Sequence, residues 1–283
     1  MENIRQSSVA GLFYPADPEE LKQIVQDYLS RANHQLPPPK ALIVPHAGFV
    51  YSGSIAAAAY ASLKPVKQKI KRVILLGPCH RYPLFGLAVT AADFYATPLG
   101  KIPIDQASIK DILQLPYVQV SEPAFNTQEN SLETQLPFLQ MTLDEFSIVP
   151  ILIGQARETV VASVIDRLWH EEDTLIVISS DLSHYLDYET ACRLDKKTAN
   201  AILHLDPQAI QDDQACGSIG IKALLLIALK KGLTPRLVKL QNSGDIVGSY
   251  HEGVVGYGAF HFTSGNESAG KGMSIENSVR KNV

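Results

Sequence analysis

Cysteine is scarce in this chain, and long hydrophobic runs are absent. Three cysteines, Cys79, Cys192 and Cys216, stand among 283 residues without CxxC spacing, which argues against a disulfide framework and fits a reducing compartment. The longest apolar run, Ala223 to Leu229, is far too short to span a bilayer. The N-terminus has no basic segment followed by an apolar one, so we expect no signal peptide. These absences predict a cytoplasmic protein without a membrane segment.

An excess of positive charge is also missing. The chain has 25 Lys and Arg against 29 Asp and Glu, a formal net charge of −4, and no polybasic run, so nothing suggests a nucleic-acid partner. The spacings of a P-loop and of a dinucleotide fingerprint are absent, as is the G-x-S-x-G motif of a serine nucleophile. A small molecule or a peptide is therefore the expected partner, and the oligomeric state stays open.

Short apolar runs that end in turn residues indicate buried strands. They cover residues 41–44, 73–76, 148–153 and 175–178, and they are apolar throughout rather than alternating, as in strands covered on both faces. Helical patterns separate most of them, over residues 53–63, 105–113, 131–143 and 158–169, with two more at 188–203 and 218–231. This alternation predicts an α/β fold, a single layered domain with a mainly parallel sheet flanked by helices.

The last part of the chain follows a different pattern. Residues 236–241 and 254–262 are predicted strands joined by a loop, and they suit an antiparallel pair at one edge of the sheet, which would make the sheet mixed. From residue 264 to 283 the chain is rich in Gly, Ser, Asn and Lys, which predicts a disordered polar tail. We therefore expect one domain over residues 1–263.

Three of the eight histidines follow predicted strands. His46 comes two residues after Val44, His80 four residues after Leu76, and His184 a few residues after Ile178. Ligands of open α/β sheets bind outside the carboxyl ends of the strands. If these strands are parallel, the three imidazoles share one edge of the sheet. A single histidine after a strand is more often a loop or capping residue, but three equivalent positions favour a site.

Such a cluster suits a metal. Two neutral imidazoles and one anionic ligand, with open positions, form the facial arrangement of non-haem Fe(II) sites. The anion could be Asp181, Glu133 or a thiolate. Cys216 is attractive because it lies at the start of the apolar helix 218–231, and a helix N-terminus lowers the pKa of a thiol. The alternatives to a metal-binding role are structural. Cys216 could be a small buried residue, Asp181 could cap a helix, and Glu129 and Glu133 could lie on a solvated helix face, although one of those two is expected to point inward.

Ordered motifs along nearly the whole chain give it a family resemblance. They are Pro45-His46-Ala47-Gly48-Phe49-Val50-Tyr51-Ser52-Gly53, Leu76-Gly77-Pro78-Cys79-His80, Thr97-Pro98-Leu99-Gly100, Glu129-Asn130-Ser131-Leu132-Glu133-Thr134-Gln135-Leu136-Pro137-Phe138, Ser179-Ser180-Asp181-Leu182-Ser183-His184-Tyr185 and Cys216-Gly217. In these motifs the chain resembles the Memo family, which includes the AmmeMemoRadiSam system protein B and is similar in fold to class III extradiol ring-cleaving dioxygenases.

The resemblance implies a non-haem metal site whose ligands are His46, His80 and Cys216. Iron(II) is the expected ion, with copper or zinc as alternatives because a thiolate replaces the carboxylate of the true dioxygenases. That replacement leaves ring cleavage itself open. In this interpretation His184 is a general acid–base, and Asp181 orients an imidazole. The family often has His where this chain has Asn130.

The resulting predictions of function fall into three classes. The first is a dioxygenase-like or other redox enzyme of unknown substrate, with Glu133, Tyr51 and Phe49 contacting that substrate. The second is a small-molecule or peptide binding module without catalysis. The third is a metal-assisted hydrolase, which zinc would favour.

Overall fold

The computed structural model describes residues 2–32, 36–169, 172–250 and 253–265. From residue 266 onward, the predicted polar tail lies outside the described residues, and Ser264, its first predicted residue, still belongs to the last strand. Within the described ranges, no helix has both the length and the apolar character needed to cross a membrane.

The strands, in chain order, are β1 (Ile4–Arg5), β2 (Ala41–Val44), β3 (Arg72–Pro78), β4 (Leu87–Val89), β5 (Phe94–Thr97), β6 (Gly100–Pro103), β7 (Val118–Val120), β8 (Ser147–Ile153), β9 (Thr174–Ser179), β10 (Leu233–Asn242) and β11 (Gly256–Ser264). The helices are α1 (Pro18–Ser30), α2 (Phe49–Tyr60), α3 (Gln106–Ile112), α4 (Glu122–Phe125), α5 (Leu136–Thr142), α6 (Glu158–Leu168), α7 (Tyr188–Leu203), α8 (Ser218–Lys231) and α9 (Ser243–Val247).

The main sheet has the strand order β10-β11-β2-β9-β3-β8-β4-β7. Its centre is parallel, because β2 pairs with β9, β9 with β3 and β3 with β8 in the same direction. Strands β2 and β9 are buried at every residue, as expected for strands covered on both faces. The predicted antiparallel pair of β10 and β11 forms one edge. The α/β fold with a mainly parallel mixed sheet flanked by helices is therefore confirmed.

This strand order determines where the site forms. Strand β9 lies between β2 and β3, so the residues that follow all three strands meet at one edge of the sheet. Strand β8 is the next neighbour of β3, and its carboxyl end lies at the same edge. Among the helices that cover the sheet, α1 packs on α2 and α6 packs on α8.

Candidate metal centre

His46 follows β2 and is anchored by both its backbone and its ring. Only 3% of the residue is exposed, and its backbone N–H donates to Asp181 Oδ1 at 2.8 Å. Its ring Nδ1 lies 2.9 Å from Ser179 Oγ at the end of β9. Asn130 donates from its side-chain amide to the carbonyl of His46 at 2.9 Å. Ser179 at the end of β9 and the side chain of Asn130 therefore hold His46 in place together.

The partners of Ser179 determine the tautomer of His46. The hydroxyl of Ser179 donates its one proton to the carbonyl of Ser131 at 2.5 Å and accepts from Gln135 Nε2 at 2.8 Å. Because that proton is already used, Nδ1 of His46 must carry the hydrogen in the contact with Ser179. Burial lowers the pKa of His46, so the imidazole stays neutral near neutral pH. The lone pair on Nε2 is thus left free for a ligand.

His80 is held in the same way by a carboxylate. Its backbone N–H donates to Glu129 Oε2 at 2.5 Å, and its Nδ1 lies 2.9 Å from Glu129 Oε1. Burial by itself would raise the pKa of Glu129, but the hydrogen bonds from His80 and from the N–H of Ser131 outweigh it and hold the pKa at about 2. An ionised Glu129 only accepts hydrogen bonds, so Nδ1 of His80 donates, and in the neutral imidazole the lone pair is then on Nε2.

Cys216 completes the cluster from the loop before α8. Its Sγ lies 3.4 Å from His46 Nε2 and 3.7 Å from the carbonyl of Asp181. Gly217 permits this approach, because a Cβ there would lie 2.7 Å from Ser180 Cβ. Burial, together with the nearby Asp181 carboxylate, raises the pKa of the Cys216 thiol to about 12. In the metal-free chain, loss of hydration therefore outweighs the helix N-terminus that is expected to favour the thiolate.

The three side chains form a ligand set of the right size. One ligand atom from each of His46, His80 and Cys216 lies within 4.8 Å of the others, and the two rings pack edge to face with centroids 5.3 Å apart. Metal–nitrogen bonds of about 2.1 Å and metal–sulfur bonds of about 2.3 Å in a tetrahedral geometry imply an N–S separation of about 3.6 Å. The observed 3.4 Å between His46 and Cys216 matches that requirement, so the residues fit a metal ion.

Asp181 and His184 lie beside this cluster. Asp181 is 5% exposed, and its Oδ2 is 3.9 Å from His46 Nε2, while its other oxygen holds the backbone of His46. His184 is exposed and is close enough to His46 to contribute to the lowering of its pKa. His184 is not part of the group of ligand atoms. The structure therefore brings together two of the three strand-end histidines and leaves the third as a neighbour.

Two residues expected to contact substrate lie in the protein interior. Glu133 has no exposed surface, and its carboxylate binds Arg5, the N–H groups of Ser8 and Val9, and the hydroxyl of Tyr14 at 2.7 Å. A carboxylate enclosed in this way cannot contact a substrate, so the prediction for Glu133 is wrong. The position of Glu133 differs from the prediction because residues 131–143 do not form one helix.

Phe49 is also a core residue. It is 3% exposed and packs between Tyr14 and Phe138, with ring centroids 5.5 and 4.9 Å away. Its predicted contact with substrate is therefore wrong, since it lies in the first turn of α2 and faces the interior. Tyr51, two residues later, is 40% exposed; burial raises the pKa of Tyr257, and nearby Asp181 and Tyr51 add to that rise. Tyr51 is thus placed near the polar side of the centre.

Sequence reasoning misses the residues that orient the ligands. The sequence pattern presents Glu129 only as one of two acids on a helix face, and it assigns no role to Ser179 or Gln135. The one usable signal is the polar character of residues 129–135 between apolar segments, which is unusual for a segment that is buried throughout. Buried polar residues require hydrogen-bond partners, and here the partners include both histidine rings and the backbone around them.

Comparison with known proteins gives consistent matches. The Memo family model, described as Memo-like protein, matches residues 5–261. A MEMO1 family protein of Aquifex aeolicus is 36% identical over 268 residues, covering 90% of this chain and 97% of that protein. A MEMO1 family protein of Archaeoglobus fulgidus is 32% identical over 271 residues, covering 92% and 99%.

A solved structure also resembles the fold. It is an uncharacterized protein from Escherichia coli K12 with a TM-score of 0.51 and 12% identity, covering 77% of this chain and 98% of that one. At this identity the likeness concerns the fold alone.

Proposed function

The chain belongs to the Memo family, and from this premise we propose that His46, His80 and Cys216 hold a transition-metal ion used for redox chemistry on a small molecule. The observation that supports this most strongly is the orientation of the two rings: Ser179 and Glu129 each accept a hydrogen bond from an Nδ1, so that the neutral imidazoles present their Nε2 lone pairs beside the thiol. Metal-binding histidines characteristically have their other ring nitrogen held in this way.

Iron(II) is the ion proposed first. Two imidazoles and one anionic ligand leave open positions, which is the arrangement of non-haem iron sites. The thiolate makes copper and zinc the alternatives. When bound, the ion would supply a redox-active Lewis acid with positions for O₂ and substrate. Because the Cys216 thiol has a pKa of about 12 without a metal, binding must release its proton, and metal affinity should rise with pH.

Two neighbouring residues are proposed to act around the ion. The exposed imidazole of His184 can exchange protons with solvent and lies near His46, which suits a general acid–base toward a bound substrate. Asp181 holds the backbone of His46 and places a negative charge 3.9 Å from its Nε2. That charge would partly balance a bound cation and keep the imidazole in place.

The test is anaerobic purification from iron-supplemented cells, followed by measurement of iron, copper and zinc per chain. The Fe(II) form is then exposed to nitric oxide, an O₂ analogue that gives an electron paramagnetic resonance signal when it binds high-spin iron. We expect about one iron per chain and a nitric oxide signal. Zinc without a signal would support a hydrolase instead. A chain that takes up none of the three metals would contradict the proposal and would support a binding module without catalysis.

A matched pair of variants separates binding from proton transfer. His184→Asn should keep the metal, because His184 is not part of the ligand group, whereas His46→Ala should lose it. If His184→Asn lost the metal as completely as His46→Ala, the role proposed for His184 would be wrong, and it would have to be counted as a ligand.

A further inference from the structure

A cavity of about 330 Å³ opens directly beside two of the proposed metal ligands, His80 and Cys216. Three segments form its walls: residues 78–80 and 82–84 at and after the end of β3, residues 153–155 at the end of β8, and residues 216, 217, 219 and 220 at the start of α8. All three lie at the carboxyl edge of the parallel strands, where ligands of α/β sheets bind. The volume is near the lower end of that of small-molecule sites, about 300–1,000 Å³.

The walls are mainly apolar and lack formal charge. Leu84 and Ile153 are each 5% exposed, Ile219 is half-buried, and Tyr82 is 36% exposed. Among the described residues that line the cavity there is no Asp, Glu, Lys or Arg, and the polar side chains away from the ligands are the amide of Gln155, the hydroxyl of Tyr82 and the thiol of Cys79. In the metal-free chain, a charged group entering here would lose its hydration without gaining an opposite charge from the walls.

Backbone hydrogen bonds hold one wall in place. The N–H of Gln155 donates to the carbonyl of Leu84 at 2.8 Å, and the N–H of Gly86 donates to the carbonyl of Gln155 at 2.9 Å. Gly154 makes this close approach possible, because a Cβ there would lie 2.1 Å from the carbonyl oxygen of Leu84. The wall is thus formed before any ligand arrives, which lowers the ordering cost of binding.

We propose that this cavity binds the organic substrate, and that the substrate is an uncharged, largely apolar small molecule whose polar end reaches His80 and Cys216. Its role as a substrate rests on the metal centre proposed above. The selectivity of the cavity for a neutral apolar ligand depends only on its walls, so the two ideas can fail separately.

The test uses 2-naphthol and its carboxylate analogue 2-naphthoate as probes, titrated by calorimetry into metal-free and metal-loaded full-length protein. We expect 2-naphthol to bind the metal-free form at least about tenfold more tightly than 2-naphthoate does, a difference of about 1.4 kcal/mol, and to bind the metal-loaded form as well. Ile219→Trp should fill the cavity and weaken 2-naphthol binding at least about tenfold. Leu229→Trp, on the same helix but 56% exposed, is the matched control and should bind like the unaltered chain.

Ile219→Asp provides a second variant that places charge in the wall without adding bulk, and it should also weaken 2-naphthol binding. Circular dichroism of every variant checks the fold. Equal binding of the two probes to the metal-free chain, or unchanged 2-naphthol binding in both Ile219 variants, would overturn the inference. If the chain takes up no metal but still binds 2-naphthol in a way that depends on Ile219, the cavity proposal is supported and the metal-centre proposal is contradicted. A metal-loaded chain that does not bind 2-naphthol would keep the metal centre and overturn the proposed ligand of the cavity.

Discussion

Glu129 is the single residue on which the position of His80 depends most directly. Its two carboxylate oxygens accept from the backbone N–H and the ring of His80. We expect Glu129→Gln to lower metal affinity by about 10- to 100-fold, the usual effect of losing a partner that orients a metal-binding histidine. A competition titration against a chelator measures this. Glu189→Gln, on the exposed first turn of α7, controls for the loss of one charge. Equal affinities of the two variants would show that Glu129 does not orient the ligand.

Asp195 is a buried acid beneath the loop that carries His184. Its Oδ1 accepts the N–H of Ser183 at 3.0 Å, and Gly256 leaves room for it, since a Cβ there would lie 2.0 Å from Oδ2. Burial raises the pKa of Asp195 to about 6, with partial opposition from the hydrogen bond of the Ser183 backbone and from His184. In the unfolded chain the pKa is near the ordinary value of about 3.9.

Because the pKa of Asp195 is higher in the folded state, its contribution to stability is complete below about pH 4 and is lost as the pH rises through about 6. Asp195→Asn cannot ionise and should escape that loss. Between about pH 4 and pH 7, the free energy of unfolding of the variant should therefore rise relative to the unaltered chain, by about 3 kcal/mol at most. Urea unfolding at the two pH values measures this, with exposed Asp213→Asn as the control. If the difference in the free energy of unfolding between the two chains were the same at both pH values, Asp195 would not titrate as a buried acid.

Gly217, next to Cys216, allows the start of α8 to pack closely against the end of β9. We expect Gly217→Ala to push the loop away from Ser180, because the new Cβ would lie 2.7 Å from the Cβ of that residue. Overpacking of this kind costs about 1–3 kcal/mol and should also reduce metal affinity. Gly48→Ala, two residues after His46, is the matched control, since its Cβ would meet its nearest neighbour at an ordinary 3.6 Å. Equal unfolding and chelator titrations for the two variants would argue against this packing role.

The main elements are predictable because their signals are strong. Central strands such as β9 are apolar at almost every position, and α1 is preceded by its N-cap residue Asp17, whose side chain accepts a hydrogen bond from the backbone N–H of Glu20. Strands β4 to β7 escape sequence reasoning because they are short, and β6 and β7 are largely exposed. The predicted helix 131–143 exists only as a 3₁₀ turn at Glu133–Gln135 followed by α5, because hydrogen bonds to the site hold the preceding residues in a loop.

In the whole molecule, the centre draws on residues from positions 46 to 216 of the chain. The common edge of His46 and His80 could be predicted, because parallel strands place their carboxyl ends together. The raised pKa of Cys216 could not, since it depends on tertiary burial. The interior positions of Glu133 and Phe49 could not be predicted either. In the sequence, Glu133 is a charged residue expected at the surface, and Phe49 lies close to His46 in the same motif.

An ion pair in the interior ties the N-terminal segment to the segment that carries Glu129. The guanidinium of Arg5 contacts Glu133 and the carbonyl of Phe125, and it lies over the ring of Tyr95 at 4.5 Å. We expect Glu133→Gln to destabilise the fold by about 3–5 kcal/mol, because the buried cation loses its counter-charge. Urea unfolding measures this, with Asp144→Asn in an exposed ion pair as a control that should change little. Similar effects of the two substitutions would contradict this role for the buried pair.

The most direct test of the central claim is the metal content of Cys216→Ser compared with Cys79→Ser, both purified anaerobically and measured by elemental analysis. Both cysteines line the same cavity, but only Cys216 belongs to the ligand group. We predict that Cys79→Ser retains about one metal per chain, as does the unaltered protein, and that Cys216→Ser retains far less, because the hydroxyl of serine is a much poorer ligand than a thiolate. Equal metal content in the two variants would contradict a centre built on His46, His80 and Cys216.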